Sequence, residues 1–284
     1  MPSSYRPEMT QAGLPATQKA DAVDEYQNVR ELDIADERPL TIFLDRHEVV
    51  TLMTLGTQPE LLTLGYLKNQ GLVNDINDIK SIQVDWEVNA AVVTTVSENE
   101  LWLEKVKNRT VTTGCGQGTV FGDIMEQLDD IRLKPLKLKQ SDIYRLLKNL
   151  NAFNEVYKSA GAVHGCALCD GTEIIIFKED VGRHNAVDAI AGYMWLEDIV
   201  GSNKLFYTTG RLTSEMVIKV AQMGIPALLS RSGITRMGLE LAKEVGVTMF
   251  SRAKGNHFLV YNGVENVAFD VALPAKLSVA NIKT

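Results

Sequence analysis

The sequence has few of the features that would place it in several large classes of protein. It contains three cysteines among 284 residues, an odd and small number that does not fit the disulfide framework of a secreted domain. No apolar run approaches the roughly 20 residues of a membrane span. The first 30 residues lack the apolar run of a secretory signal. We therefore expect a cytoplasmic protein without a membrane span.

Positive charge is also scarce. The chain carries 29 Lys and Arg residues against 36 Asp and Glu residues, which gives a net charge of −7. This acidic balance argues against a nucleic-acid-binding protein, although a few local arginines are enough to bind a small anionic ligand. Neither a Walker loop nor a Gly-x-Gly-x-x-Gly motif is present, so ordinary nucleotide-hydrolysing and dinucleotide sites are not expected.

The pattern of predicted elements divides the chain into three parts. Residues 1–33 are polar and without a clear period, which predicts a tail that orders only against a partner surface. Residues 34–122 predict a small α+β domain rich in antiparallel strands. Residues 123–284 predict an α/β domain, because strands alternate with helices from about residue 160. The expected fold class is therefore α/β with a smaller N-terminal α+β domain.

Local signals predict particular elements within these parts. A polar turn between two β-type runs predicts a hairpin over residues 40–55. Thr57-Gln58-Pro59-Glu60 has the form of a capping box, so a helix is predicted from there to Gly71. Further strands are predicted from Ile82 to Val88, over 91–96 and over 101–106, a loop over 108–122, and one helix from Ser141 to Tyr157.

One cysteine, Cys115, lies among glycines in Thr112-Thr113-Gly114-Cys115-Gly116-Gln117-Gly118. Glycines on both sides allow tight turns and leave a thiol uncovered. An exposed thiol on a loop suits a group carrier, because its thiolate can attack a sulfur donor and then present the outer sulfur elsewhere. The alternative is a loop cysteine without a role.

The other two cysteines form Cys166-x-x-Cys169, preceded by His164. This spacing fits half of a zinc site, a redox pair, or two small residues packed in the core. We favour packing, because the chain has no second pair to complete a four-ligand site. Zinc bound by these three residues, as in a hydrolase, stays open as the minority interpretation.

Four connections near the ends of predicted strands combine arginine with glycine and hydroxyl or histidine side chains. In sheets of this kind ligands bind at strand ends, and arginine binds phosphate bidentately. An anionic, phosphate-bearing ligand is therefore expected there, with His184 as a candidate acid or base, whereas solvated surface charge is the alternative. The connections are Asp180–His184, Gly210–Thr213, Arg231–Thr235 and Arg252–His257.

A set of segments in a fixed order resembles the FdhD/NarQ family over about residues 34–265. The most specific segment runs from Asp180 to Asp188, with the sequence Asp-Val-Gly-Arg-His-Asn-Ala-Val-Asp. The others are Glu37–Ile42, Leu61–Gly71, Cys115-Gly116, Gly210-Arg211 with Glu215, and Ala221–Pro226.

The resemblance implies a fold and a function. Members have a larger C-terminal domain similar to cytidine deaminases, form homodimers and act as sulfurtransferases. They accept persulfide sulfur from a cysteine desulfurase and pass it to molybdenum bis-molybdopterin guanine dinucleotide, the cofactor of formate dehydrogenase. A non-catalytic chaperone that binds this guanine-nucleotide-containing cofactor without a persulfide step is the alternative. Deamination is not implied, since the His-x-Glu and Pro-Cys-x-x-Cys zinc signature is absent and no tightly held metal is expected.

The resemblance also implies site residues. Cys115 matches the persulfide cysteine, and Phe250-Ser251-Arg252-Ala253-Lys254-Gly255 matches a segment that binds the molybdenum cofactor. Arg183, His184 and Arg211 are added as cofactor-binding candidates from their loops. One departure is clear: the family often has Cys-Gly-x-Cys-Gly in the cysteine loop, and Gly118 replaces its second cysteine here. A relay between two loop thiols is therefore not available.

Overall fold

A computed structural model describes residues 5–97, 110–111, 118–119, 128 and 131–272 of the chain. Cys115, the predicted strand 101–106 and the predicted domain boundary after residue 122 lie outside these residues. Two short strands, Thr110–Val111 (β8) and Gly118–Thr119 (β9), pair antiparallel on either side of the segment that holds Cys115. The two ends of that segment are therefore neighbours.

A five-stranded sheet forms the centre of the N-terminal unit. Within its hairpin, Leu40, Ile42 and Leu44 alternate on one face and are fully buried. The predicted hairpin is thus confirmed, with a turn of two residues, Asp45 and Arg46. The strands are β1 (Glu8–Met9), β4 (Arg38–Leu44), β5 (His47–Thr54), β6 (Ile79–Asp85) and β7 (Ala90–Thr95), in the sheet order β1-β6-β7-β4-β5.

The predicted strand from Ile82 to Val88 is too long, since β6 ends at Asp85. Trp86 follows in a turn, and its indole nitrogen donates a hydrogen bond to the carbonyl oxygen of Ala12 at 2.6 Å. The N-terminal segment therefore contacts the residue that follows β6.

The predicted helix is confirmed as α1 (Pro59–Asn69), but the predicted capping box is wrong. Its N-terminal cap is Gln58, which makes no side-chain capping bond. Glu60 instead accepts hydrogen bonds from the hydroxyl of Thr10 and the amide of Ala12, both at 2.8 Å. A tertiary contact has replaced the local one.

The predicted N-terminal tail is not without structure. Glu8–Met9 (β1) pairs with β6, and Thr17–Val23 (β2) pairs with Val29–Ala35 (β3) in an antiparallel hairpin. Both faces of the β2–β3 hairpin are largely exposed to solvent, so its strands do not alternate apolar and polar residues. Without that alternation the sequence does not predict them.

A six-stranded mixed sheet forms the second unit, as the alternating pattern predicts. Its central strands β13, β14 and β15 are parallel, and helices connect them. The strands are β11 (His164–Asp170), β12 (Glu173–Asp180), β13 (Leu205–Thr208), β14 (Ala227–Ser230), β15 (Thr248–Lys254) and β16 (His257–Asn262), in the order β12-β11-β13-β14-β15-β16. A short parallel pair, β10 (Leu138–Lys139) with β17 (Val267–Ala268), lies beside it.

Helices cover both faces of this sheet. One face packs against α4 (Arg183–Leu196), α5 (Ser214–Gln222) and α6 (Arg236–Val245). The other packs against α2 (Gln140–Leu150), and the short helix α3 (Glu155–Ser159) follows α2. None of the helices in the described residues is long and apolar enough to cross a membrane.

The single helix predicted from Ser141 to Tyr157 is wrong, because the chain breaks between α2 and α3. The side chain of Asn154 donates to the carbonyl oxygen of Leu150 at 2.9 Å, at the end of α2. Glu179 of β12 accepts the amides of Val156 and Tyr157 at 3.0 and 2.9 Å, so a distant carboxylate begins α3.

The two units meet where α1 crosses α4. Gly65 and Gly192 lie at the crossing, and there is no room for a side chain at either. A Cβ at Gly65 would lie 1.7 Å from the carbonyl oxygen of Asp188, and a Cβ at Gly192 would lie 2.1 Å from that of Leu61. This close approach fixes the position of α4, whose first turn belongs to the site described next.

Candidate functional site

The predicted loops meet at one edge of the six-stranded sheet, as expected. The hydroxyl of Ser230 donates to the carbonyl oxygen of Gly210 at 2.6 Å, which joins the loops after β13 and β14. The amide of Arg252 donates to the carbonyl oxygen of Ser232 at 3.0 Å, which joins β15 to them. Arg183 of α4 packs against Gly210, where a Cβ would lie 3.0 Å from its Cδ.

A cavity of about 310 Å³ opens at this edge. Hydroxyl, imidazole and guanidinium groups line it, which suits an anionic or polar ligand. Its position at the carboxyl ends of β13 and β14 is where ligands bind in open α/β sheets. The lining residues are Tyr157, Val163, His164, Thr209, Arg231 and Ser232.

Three cationic or imidazole side chains stand close to one another at this edge. The positive charges of Arg183 and Arg211 lower the pKa of His164, after the larger effect of its burial. Arg211 is exposed, whereas Arg183 and His164 are half-buried. The two positive charges near this imidazole favour an anion in the same space.

His184 lies deeper, on the first turn of α4. It is 2% exposed, and its Nε2 lies 3.3 Å from Oε2 of Glu215, the second residue of α5. Burial, together with the nearby charges of Lys219 and Arg183, lowers the pKa of His184 to about 2, so the imidazole is neutral at ordinary pH. Burial raises the pKa of Glu215.

Several buried polar atoms at this edge have no hydrogen-bond partner among the described residues. Buried polar groups are normally paired, so such a group of atoms is typical of a place that receives water or a ligand. The atoms are both ring nitrogens of His184, Oε1 of Glu215, Oγ1 of Thr213 and Oγ of Ser251. Nε2 of His184 is close to the carboxylate of Glu215, but the two groups are not oriented for a hydrogen bond.

A buried ion pair joins α4 to α5 at the second turn of each helix. Nζ of Lys219 lies 2.9 and 2.7 Å from the two carboxylate oxygens of Asp188. The amide group of Asn69, at the end of α1, donates to the same carboxylate at 2.7 Å. Complete burial raises the pKa of Asp188, an effect that the ammonium and amide groups oppose.

The buried carboxylate of Asp180 has a structural position. Its Oδ2 accepts the hydroxyl of Thr54 at 2.5 Å and the amide of Leu55 at 3.2 Å, from the end of β5. Its Oδ1 accepts the amide of Gly182 at 3.0 Å and the side chain of Asn185 at 2.8 Å. The carboxylate thus connects the N-terminal sheet to the start of α4.

The segment Phe250–Gly255 is mostly strand, so the predicted loop Arg252–His257 shrinks to a turn at Gly255 and Asn256. Phe250, Ser251 and Ala253 are fully buried. The residues exposed to solvent are Arg252, Lys254 and Gly255. Arg252 has a φ of 49° within a bulge, which places its backbone beside the cavity residue Ser232. The role of this segment in cofactor binding stays a prediction.

The packing interpretation of Cys166 and Cys169 is confirmed. Both are fully buried free thiols in β11, and burial raises the pKa of each to about 12. Cys166 packs among α4 and α5, whereas Cys169 packs against the opposite face of the sheet. Because they point to opposite faces, the pair cannot share one metal ion or a disulfide.

Several functional candidates were not predicted. Tyr157 and Val163 line the cavity from the segment that follows the helix break, where Glu179 of β12 accepts the amides of Val156 and Tyr157. The buried Asp188–Lys219 pair does leave a signal, since Lys219 lies within an otherwise apolar run from Met216 to Ala221. A charged residue in the middle of an apolar helix face indicates a buried partner.

The sequence and the fold both match known proteins. A profile of the FdhD/NarQ family matches residues 35–268. Relatives called sulfur carrier protein FdhD are 31% identical in Geobacillus kaustophilus and 30% identical in Listeria innocua, each over 84% of this chain and 93% or 92% of the relative. The fold matches a crystal structure from Desulfotalea psychrophila, provisionally described as a formate dehydrogenase accessory protein, with a TM-score of 0.70, 27% identity and coverage of 89% of this chain and 98% of the other. The chain therefore belongs to the FdhD/NarQ family.

Proposed function

We propose that this protein is a sulfurtransferase that carries persulfide sulfur on Cys115 for formate dehydrogenase. The sulfur comes from a cysteine desulfurase and goes to molybdenum bis-molybdopterin guanine dinucleotide, which is the substrate. The names of the relatives, sulfur carrier and formate dehydrogenase accessory protein, support this proposal.

One observation carries the assignment of the thiol. The chain has three cysteines, and two of them, Cys166 and Cys169, are fully buried with pKa values raised to about 12. A thiol with such a pKa is almost entirely protonated at neutral pH and cannot attack a sulfur donor. Cys115 is therefore the cysteine that we assign as the nucleophile.

The first step is an exchange between the thiol of Cys115 and the persulfide of the desulfurase. The thiolate of Cys115 attacks the outer sulfur of the desulfurase persulfide, a new S–S bond forms, and the desulfurase cysteine leaves as a thiolate. When the outer sulfur is delivered as sulfide, the S–S bond on Cys115 breaks and Cys115 returns to a thiolate. The two electrons come from a thiol reductant, added in an assay, which is oxidised to its disulfide. Because Gly118 stands where a second loop cysteine is common in the family, Cys115 acts alone.

The cavity at the strand ends supports binding of the cofactor. Its lining residues Arg231, Thr209 and Ser232 offer donors to phosphate oxygens, and Arg183 and Arg211 stand near His164 at the same edge. The same edge holds two further groups that could contact the cofactor. They are the buried ring nitrogens of His184, which have no hydrogen-bond partner among the described residues, and the exposed side chain of Arg252.

Intact-mass measurement tests the persulfide step. The full-length protein, incubated with a cysteine desulfurase and cysteine, should gain the mass of one sulfur atom on the peptide that contains Cys115. Cys115→Ala should neither gain this mass nor restore activity to formate dehydrogenase. The matched control Cys169→Ala should gain the mass as the wild type does, since this thiol is buried.

A chaperone without a persulfide step is the second candidate, favoured by the cavity alone. It predicts that Cys115→Ser restores formate dehydrogenase activity fully, whereas Arg231→Gln does not. Full restoration by Cys115→Ser would therefore reject sulfur transfer and retain cofactor binding.

A further inference from the structure

The hairpin of β2 and β3, residues 17–35, exposes apolar side chains to solvent. Val23, Tyr26 and Val29 at its tip are 67%, 75% and 70% exposed. A two-stranded hairpin is only marginally stable in water, and apolar side chains that face solvent add nothing to its stability. Exposed apolar residues gathered on one projecting element are typical of a surface that binds another protein.

The turn of this hairpin is held in one conformation. The carboxylate of Asp24 accepts the amides of Tyr26 and Asn28, both at 2.9 Å, and Nε of Arg30 at 2.8 Å. The amide of Asn28, with these other donors, lowers the pKa of Asp24. A preformed hairpin loses little conformational entropy on binding, which favours association.

One face of the hairpin carries an unfavourable pair of charges. The register places Asp21 directly opposite Glu31, next to the exposed pair of Val23 and Val29. Like charges directly opposite each other destabilise a hairpin. Among the described residues neither carboxylate has an ion pair, whereas Lys19 on the same face pairs with a different carboxylate. A partner with lysine or arginine side chains would relieve this repulsion.

The hairpin also stands beside the cavity. Strand β3 packs beside α3, and Tyr157 of α3 lines the cavity at the strand ends. A protein bound to the hairpin is therefore held next to the opening from which a bound cofactor would leave.

We propose that the hairpin binds formate dehydrogenase before that enzyme has received its cofactor. The surface of the enzyme that contacts the hairpin is basic, with apolar residues at its centre. This rests on the proposed function, because the protein that takes the cofactor must reach the cavity. A second copy of this chain fits the hairpin poorly, since it carries the same net charge of −7 and the same pair of carboxylates.

Two double variants of the full-length protein test the docking surface. Asp21→Asn with Glu31→Gln removes both charges and should leave the melting temperature unchanged or raised, because the repulsion disappears. Val23→Thr with Val29→Thr keeps β-branched side chains and removes apolar contact area. Each should weaken binding to cofactor-free formate dehydrogenase, measured by surface plasmon resonance, by about tenfold or more, as removal of central contacts does. The first should also make binding less dependent on salt.

A matched control removes two exposed carboxylates elsewhere. Glu48→Gln with Glu87→Gln changes the net charge equally and should alter the dissociation constant by less than about twofold, since charges away from an interface contribute little. Equal binding by the wild type and both hairpin variants would overturn the docking proposal. So would a change in sedimentation from dimer to monomer caused by the hairpin variants, which would assign the hairpin to a contact between two copies.

Persulfide loading keeps this proposal separate from the proposed function. The hairpin variants should gain sulfur on Cys115 from the desulfurase at the wild-type rate. If the wild-type protein itself gains no sulfur, the proposed function fails, whereas a wild type that gains sulfur but does not bind formate dehydrogenase overturns the docking proposal alone. If the wild type does both and the hairpin variants behave identically, only the docking surface is wrong.

Discussion

Gly65→Ala is expected to destabilise the protein strongly, although alanine is the better helix former. In a helix interior with free space, this substitution stabilises by about 1 kcal/mol. Here the new Cβ would lie 1.7 Å from the carbonyl oxygen of Asp188 and 2.6 Å from the amide nitrogen of Gly192. Both neighbours are backbone atoms of α4, so neither can move without the helix.

The size of the effect follows from this geometry. Ordinary contact requires about 3.4 Å or more, so α1 and α4 must separate by roughly 1.5 Å, and a gap of even 1 Å loses up to about half of each dispersion contact. Overpacking of this kind costs typically about 1–3 kcal/mol, and a clash with rigid backbone belongs at the upper end. After the gain in helix propensity of about 1 kcal/mol, we expect a net loss of about 2 kcal/mol.

Urea unfolding followed by circular dichroism measures this loss. At roughly 2–4 °C per kcal/mol, the melting temperature should fall by about 4–8 °C. Gly233→Ala is the matched control, since a Cβ there meets nothing within 4 Å, and should stay within about 0.5 kcal/mol of the wild type. A Gly65→Ala protein as stable as the wild type would refute the close crossing of α1 and α4.

Three further predictions concern buried groups. Iodoacetamide at a pH of about 8 should label one thiol of the native protein and leave Cys166 and Cys169 unmodified, as peptide mass mapping will show; labelling of either would contradict their burial. Asp180→Asn should lower the free energy of unfolding in urea by about 3 kcal/mol, because the new amide nitrogen would face buried hydrogen-bond donors. An unchanged free energy would contradict the role of Asp180 in connecting the N-terminal sheet to α4. Lys219→Met should cost about 3–5 kcal/mol near neutral pH by leaving Asp188 without its cation. Burial raises the pKa of the Asp188 carboxyl in the folded state, so the stability lost in Lys219→Met should be largest above this raised pKa, where the carboxyl is charged. The loss should shrink as the pH falls toward the ordinary carboxyl pKa. A loss that does not change with pH would contradict the pairing of Lys219 with Asp188.

The second unit was largely predictable because its signals are local. Short apolar runs separated by helical periods specify the parallel strands, and the loops at their ends follow from that topology. Arg183, Arg211 and His184 could therefore be assigned to one edge before the structure was known. The different extents to which these three side chains are buried could not be predicted, because they depend on which helices pack over them.

The failures have a common physical cause, which is competition from distant partners. Glu60 reads locally as part of a capping box, yet it binds Thr10 and the N-terminal segment. Residues 141–157 read as one helix, yet Glu179 from β12 supplies the acceptor that starts a second one. Sequence patterns describe neighbours along the chain, whereas these bonds join residues far apart in it.

Helix α4 has a consequence for how the protein is made. Its residues contribute to both hydrophobic cores: Val187 and Ile190 pack in the second unit, whereas Ala189 packs with the first. During synthesis α1 leaves the ribosome long before α4, so the apolar face of the N-terminal unit stays uncovered until much of the second unit has been translated. Nascent chains should therefore depend on holding chaperones over this interval.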